Sequence, residues 1–348
     1  AAENPIEPTE RGRGEILRPG YGVMRLYATE PDGGEKGYED EGDYGYAQEG
    51  MKAIEELKDS GEPWCVFVGL TGPHDPYNVP EKFVKMYDPD TIELPESFAD
   101  EMADKPRVYQ RMRRDRFGQL SEGEVREAMA HFYAYCTMLD AMFGELLDTL
   151  DATGQADNTV VVRTSDHGDY CGAHGLFCKG VPSFDEAYRI PLTVRWPAGV
   201  AEPGREVEEF VGLQDFAPTA LELAGVETDR HIAGRSLVPF LKNDPPADWP
   251  QVRYTQLNGV ELYYHQRIVQ TKKWKYVFNG FDFDELYDME NDPNELTNLI
   301  DRPDLRPVVR EMCRLYWQMA YREDDPMGIG YITTALMPYG PMLHEEEG

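Results

Sequence analysis

Asp166 and His167 are adjacent at the point where the apolar run Asn158-Thr-Val-Val-Val-Arg-Thr164 opens into Ser165-Asp-His-Gly-Asp-Tyr-Cys-Gly-Ala-His-Gly-Leu-Phe-Cys-Lys-Gly180. A carboxylate and an imidazole at such a turn can face one cation, and the glycines let backbone approach closely. Lys179 follows in the same loop and is one of only 11 lysines. By itself the loop also reads as a polar turn with a salt-bridged lysine. A second group, Gly72-Pro-His-Asp-Pro-Tyr77, follows the apolar run Trp64-Cys-Val-Phe-Val-Gly-Leu70 and carries His74, a side chain able to move a proton near neutral pH. Both groups stand at the C-terminal ends of strand candidates, the edge at which open α/β sheets bind ligands.

The elements that must hold these turns are legible in outline. Residues 1–48 are rich in Gly, Pro, Glu, Asp and Tyr without sustained periodicity and read as loop. A short amphipathic helix follows over residues 47–59. The runs at 64–70 and 158–164 have the length and composition of strands buried on both faces, and residues 190–196 form a third apolar stretch. Between the first two lies a long helix over 121–150, with Ser121 as cap and Glu124 three residues on. Residues 215–224 read as a helix entered through Pro218 and stopped by Gly225. Beyond the Pro-rich Asp244-Pro-Pro-Ala-Asp-Trp-Pro250, four short β-rich pieces (253–256, 266–271, 274–279, 285–288) form an antiparallel pattern, and a last helix runs over 304–321. The expectation is an α/β body over 1–245 and a smaller α+β subdomain with tail over 246–348.

Composition excludes several classes. The 348 residues carry 34 basic and 65 acidic side chains, a net charge of −31, and are 41% hydrophobic and 11% aromatic. That is apolar enough to fold, and too acidic for general nucleic-acid binding, since a negative field repels a polyphosphate. The five cysteines, an odd number without a C-x-x-C pair, fit neither a disulfide framework nor a structural zinc site. Cys65 and Cys136 read as core residues on apolar faces, and free thiols lean toward the cytoplasm. No run reaches the roughly 18 apolar residues of a membrane span.

The string S-D-H-G-D-x-x-G-x-H-G-L-x-x-K-G, followed by Phe184-Asp-Glu-Ala-Tyr-Arg-Ile-Pro-Leu-Thr-Val-Arg-Trp-Pro197, closely resembles the sulfatase family of the alkaline-phosphatase superfamily. Matching segments occur in the same order at Pro63 to Pro76, with its P-H-x-P ending, at Thr137 to Asp148, at Asp215 to Leu241, and at Glu285 to Leu299. The resemblance covers about residues 50–320. It implies an alkaline-phosphatase-like mixed sheet between helices, with a short antiparallel sheet in the C-terminal subdomain. It also implies that Asp166 and His167 ligate a divalent cation, Ca²⁺ or Mg²⁺, that Lys179 meets the sulfate oxygens, and that His74 protonates the leaving oxygen. His174, in the Lys179 loop, would touch substrate or make a structural hydrogen bond. His265 falls where related enzymes sometimes place a substrate-contacting side chain, and Arg189 would brace the loop through an ion pair.

One departure is large. The C/S-x-P-x-R signature, whose Cys or Ser becomes the formylglycine nucleophile, does not occur, nor do the acidic pair and G-K-W-H-type loop that accompany it. Cys178-Lys-Gly-Val-Pro182 sets its proline two places too late and lacks the Arg. The expectation is therefore the C-terminal major part of a sulfatase, inactive alone, because two cation ligands fall short of the six or so a hard cation takes. The missing N-terminal segment would also bring central strands, and without it a sheet edge should be bare. An export signal on that segment is as compatible with the sequence as a cytoplasmic place. The implied reaction is hydrolysis of a small-molecule or carbohydrate sulfate ester; a homo-oligomer is compatible with it. Alternatives are a phosphonate or phosphate ester hydrolase of the same superfamily, a transferase using the same covalent intermediate, and a catalytically inactive binding protein on the same scaffold.

Overall fold

The computed structural model describes residues 10–18, 20–259, 263–280, 282–327 and 331–341. The first strands of the described chain form a hairpin, β1 (Glu15–Arg18) against β2 (Gly22–Arg25), followed by β3 (Tyr27–Glu30). These strands correct the reading of residues 1–48 as loop. Four-residue strands are too short to show periodicity, and β3 finds its parallel partner, β4 (Tyr77–Pro80), only after α1 (Gly42–Leu57) has intervened. Helix α1 begins before Ala47 because Asp43 and Tyr44 are already buried in its first turn.

The longest element, α2 (Glu122–Ala152), forms where the sequence places it. Ser121 and Glu124 make a reciprocal capping box, and Val125, Ala128, Met129, Ala134, Met138 and Met142 line its buried side. Toward β4 and the Lys179 loop these residues meet Tyr27, Tyr77, Phe177 and Phe184, and toward α1 they meet Tyr38, Tyr44 and Ala47. Both chemistry-bearing turns are thus referred to one helix.

Glu124 also receives a two-pronged hydrogen bond from Arg11, at 2.6 and 3.0 Å, which docks the start of the described chain. Arg11, against the opposing effect of burial and with help from Ser121 and Gly14, holds the Glu124 carboxyl at about 2. A depressed carboxylate stabilises the fold above its ordinary value of 4.5, and that contribution is lost as pH falls through about 2. Glu124→Gln should therefore lower the urea midpoint at pH 7, with the gap to the parent narrowing as pH is brought down from 4.5; a gap independent of pH would contradict this.

The run at 64–70 is extended, yet it has no ladder partner among the described residues. Trp64, Leu70 and Val68 lie against the helices, Val68 within reach of Gly50, while Phe67 is 93% exposed and Cys65 is exposed. The expected burial on both faces, and a core place for Cys65, are corrected here: the outer side has nothing packed on it. Likewise, among the described residues β5 (Val161–Thr164) pairs only with antiparallel β6 (Leu192–Arg195), and Val162 is exposed. Cys136 is half-buried on α2, and burial pushes its thiol up to about 11.

Helix α3 (Phe216–Ala224) ends at Gly225, whose φ of 65° closes a left-handed cap. The C-terminal strands are β7 (Arg253–Asn258), β8 (His265–Gln270), β9 (Trp274–Asn279) and β10 (Glu285–Asp288), in antiparallel order β10-β9-β8-β7. Val269, Tyr276, Phe278 and Leu286 of this sheet pack on Met312, Cys313, Tyr316 and Trp317 of α4 (Arg306–Arg322). The fold is mixed α/β with a small antiparallel sheet near the C-terminus. The acidic end at Glu345 lies outside the described residues.

Candidate active site

His74, Asp75, Asp166, His167 and Lys179 come together at the ends of the 64–70 segment and β5. The Nδ1 of His74 lies 2.6 Å from the Asp75 carbonyl oxygen. A carbonyl only accepts, so Nδ1 carries the proton and Nε2 presents a lone pair, to which the Lys179 ammonium donates. Asp75 Oδ1 stands 3.9 Å from Lys179 Nζ and 3.4 Å from His74 Nδ1, placing a carboxylate beside both side chains. The rings of His74 and His167 are 6.4 Å apart, centre to centre.

The same reasoning fixes His167. Its Nδ1 donates to the Gly168 carbonyl at 2.8 Å, which leaves Nε2 as a lone-pair donor 3.5 Å from Asp166 Oδ2. An imidazole held by a carbonyl on one nitrogen and open on the other is the arrangement a metal ligand needs. Asp166 and His167 therefore suit a divalent cation in donor chemistry, but no group of three His, Cys, Asp or Glu converges on a metal position among the described residues. The set is partial.

Backbone anchoring explains how the turns hold. Asp43, in the first turn of α1, accepts the N–H groups of Thr71 at 2.7 Å and Gly72 at 2.9 Å, just ahead of His74. A Cβ on Gly72 would lie 2.3 Å from the Tyr135 ring, and one on Gly168 would lie 1.9 Å from the Glu186 carbonyl oxygen, so both glycines are demanded by close approach. Neither Asp43 nor Asp75 is marked as functional by sequence, because an acid inside an acidic stretch or beside a proline carries no spacing signal of its own.

His174 is not part of the cluster. Its side chain is fully buried, with Nδ1 2.8 Å from Asp100 Oδ2 and the ring stacked on Phe184 at 3.6 Å. Buried Lys105 meets the same Asp100 at 3.0 Å. Burial acts to raise the Asp100 carboxyl, but hydrogen bonds from His174 and Met102 and the Lys105 charge outweigh it and hold it at about 2. His265 opens β8 with Nδ1 3.5 Å from Asn258 Oδ1 and makes no contact with the cluster among the described residues. Arg189 forms no ion pair there; it lines a cleft of about 2010 Å³ together with Asp166, His167, Lys179, Trp196 and Trp249.

The C-terminal sheet reaches back to this loop through buried charge. Lys275 on β9 donates to the Ser183 carbonyl at 2.5 Å and stands 2.7 Å from Glu295 and 3.3 Å from Asp185, while Arg253 reaches Asp185 at 2.6 Å. Glu285 accepts from Tyr109 and Asn279, both at 2.8 Å, and from Tyr287 at 2.5 Å. Glu285 and Glu295 are thus internal ties, and Glu295, through Lys275 and the Asp185 N–H at 2.7 Å, holds the chain just beyond the loop that carries Lys179.

This mixed α/β frame is an alkaline-phosphatase-like fold. A sulfatase family model matches residues 20–226, and a model described as N-sulphoglucosamine sulphohydrolase, C-terminal, matches residues 172–322. The chain belongs to the sulfatase family. It is 33% identical over 275 residues to a choline-sulfatase of Rhizobium meliloti, covering 75% of this chain and 52% of the relative. It is 29% identical over 293 residues to a multifunctional alkaline phosphatase superfamily protein of Trinickia caryophylli, covering 76% and 57%. The phosphonate monoester hydrolase of Silicibacter pomeroyi has a similar fold, with a TM-score of 0.74 at 24% identity over 85% of this chain and 65% of that one. The chain spans about half the length of the curated relatives it matches. Among the described residues, no helix is long and apolar enough to cross a membrane.

Proposed function

We propose that this chain forms the larger part of a sulfuric ester hydrolase acting on an organic sulfate monoester, small or carbohydrate. The convergence of Lys179, His74, Asp166 and His167 on one cleft edge carries the reading. Lys179 would hold the non-bridging sulfate oxygens. An ester seated there takes over the ammonium's hydrogen bond and frees His74 Nε2, which, protonated from solvent to the imidazolium, would give that proton to the departing oxygen. Asp166 and His167 would be two ligands of a Ca²⁺ or Mg²⁺ ion, which supplies charge neutralisation, and a formylglycine on a preceding segment of the same polypeptide would supply the nucleophile. The bare outer side of residues 64–70, with Phe67 in solvent, and the open side of β5 would seat that segment, which would also bring the remaining ligands.

A second reading, hydrolysis of phosphonate or phosphate esters at the same residues, is favoured by the likeness to the multifunctional Trinickia protein. Initial rates of the complete polypeptide on p-nitrophenyl sulfate and on a p-nitrophenyl phosphonate separate the two. The sulfate should be turned over faster, and activity should vanish on chelation and return with Ca²⁺ or Mg²⁺. Faster phosphonate turnover would favour the second reading, and no turnover of either would point to an inactive scaffold.

A further inference from the structure

Asp169 belongs to the motif around Asp166 but lies outside the proposed cation and substrate contacts. Its Oδ1 accepts the N–H groups of Cys171 at 2.8 Å and Cys178 at 3.0 Å, from opposite ends of the loop that delivers Lys179. Both cysteines have left-handed backbone, φ 44° and 62°, so each turns its N–H toward the same oxygen. Tyr170 N–H to Cys178 O, at 3.0 Å, closes the neck of this loop from the backbone side. The other carboxylate oxygen, Oδ2, accepts the Tyr77 hydroxyl at 2.7 Å. Tyr77 is fully buried, its ring against Phe132 and Phe177, and it begins β4 three residues after His74.

One carboxylate therefore bridges the two chain segments that carry His74 and Lys179. We propose that Asp169 and Tyr77 form a strut whose role is to set His74 against Lys179, making both positioning residues for the ester cleavage proposed above. The hydroxyl end of the strut governs His74, and the two backbone N–H groups govern Lys179. The inference rests on the sulfate-ester reading.

Leaving-group dependence distinguishes this role from simple loss of structure. A proton from His74 matters most when the departing oxygen is strongly basic and least when it is p-nitrophenolate. In the complete polypeptide, Tyr77→Phe should lower kcat/KM about threefold or less on p-nitrophenyl sulfate and about 10- to 100-fold on aryl sulfates of poor leaving groups. In an Asp169→Asn background, Tyr77→Phe should add little further slope, because the one remaining acceptor oxygen is held by the Cys171 and Cys178 N–H groups and an NH2 group faces the Tyr77 hydroxyl. His74→Ala should show the same steepening. A parent protein that cleaves no ester would overturn the site reading and the strut with it. With an active parent and a steep His74→Ala, an equal fractional loss across all leaving groups in Tyr77→Phe, or full additivity with Asp169→Asn, would overturn the strut alone.

Discussion

Lys179→Ala, made in the complete polypeptide, should reduce kcat/KM on an aryl sulfate by about 10²- to 10³-fold, the usual consequence of removing one preorganised donor to a developing oxyanion. The expectation follows from position. Lys179 leaves a loop tied at its neck by Asp169 and Tyr170, its ammonium already spans His74 and Asp75, and it faces the cleft shared with Asp166 and His167. The loss should appear with unchanged far-UV circular dichroism, because the side chain sits at the cleft edge and fills no core position. Lys179→Arg should recover only part of the rate, since a planar fork cannot reproduce a point charge at the same depth. Turnover within threefold of the parent would remove Lys179 from the site.

The second large effect concerns stability. Lys275→Ala withdraws a fully buried ammonium from Glu295, Asp185 and the Ser183 carbonyl, leaving buried acid without its cation. Breaking such a pair from one side costs about 3–5 kcal/mol. In a chain of this size that corresponds to a fall in Tm on the order of 10 °C. Burial already pushes the Glu295 carboxyl up to about 7, against the Lys275 charge, so without Lys275 the acid should prefer its protonated form still more strongly. Lys275→Met combined with Glu295→Gln should recover much of the loss, because no unpaired charge then remains. A single-variant Tm within 2 °C of the parent would show that the network is not holding the loop.

The parts of the fold set by local rules were legible. The Ser121–Glu124 capping box, the Gly225 stop and the antiparallel pieces between Arg253 and Asp288 carry signals in neighbouring residues and appear as expected. The parts set by distant partners were not. Strand β3 exists because β4 lies beside it, and the burial of residues 64–70 depends on what covers their outer side, which no local pattern records. The site divides in the same way. His74, Lys179, Asp166 and His167 are drawn together from motif positions, whereas Asp43 and Lys275 hold those motifs from other elements. Their contacts, across 28 residues from Asp43 to Thr71 and 92 from Lys275 to Ser183, are tertiary facts. His174 looked like a candidate because of its loop, and its stacking on Phe184 depends on a fold that the loop alone does not state.

The outward face of Phe67 has a bearing on biosynthesis. A ribosome makes the polypeptide from its N-terminal side, so a preceding segment, as proposed, would emerge before residues 64–70 do. The cover would then be waiting when the sticky strand appears, and its backbone N–H and C=O groups would be paired on arrival. Made in the reverse order, or as separate pieces, the same two parts would expose Phe67 and Val162 to every neighbouring chain before they met each other. Chain order would thus serve as the protein's protection against self-association during synthesis.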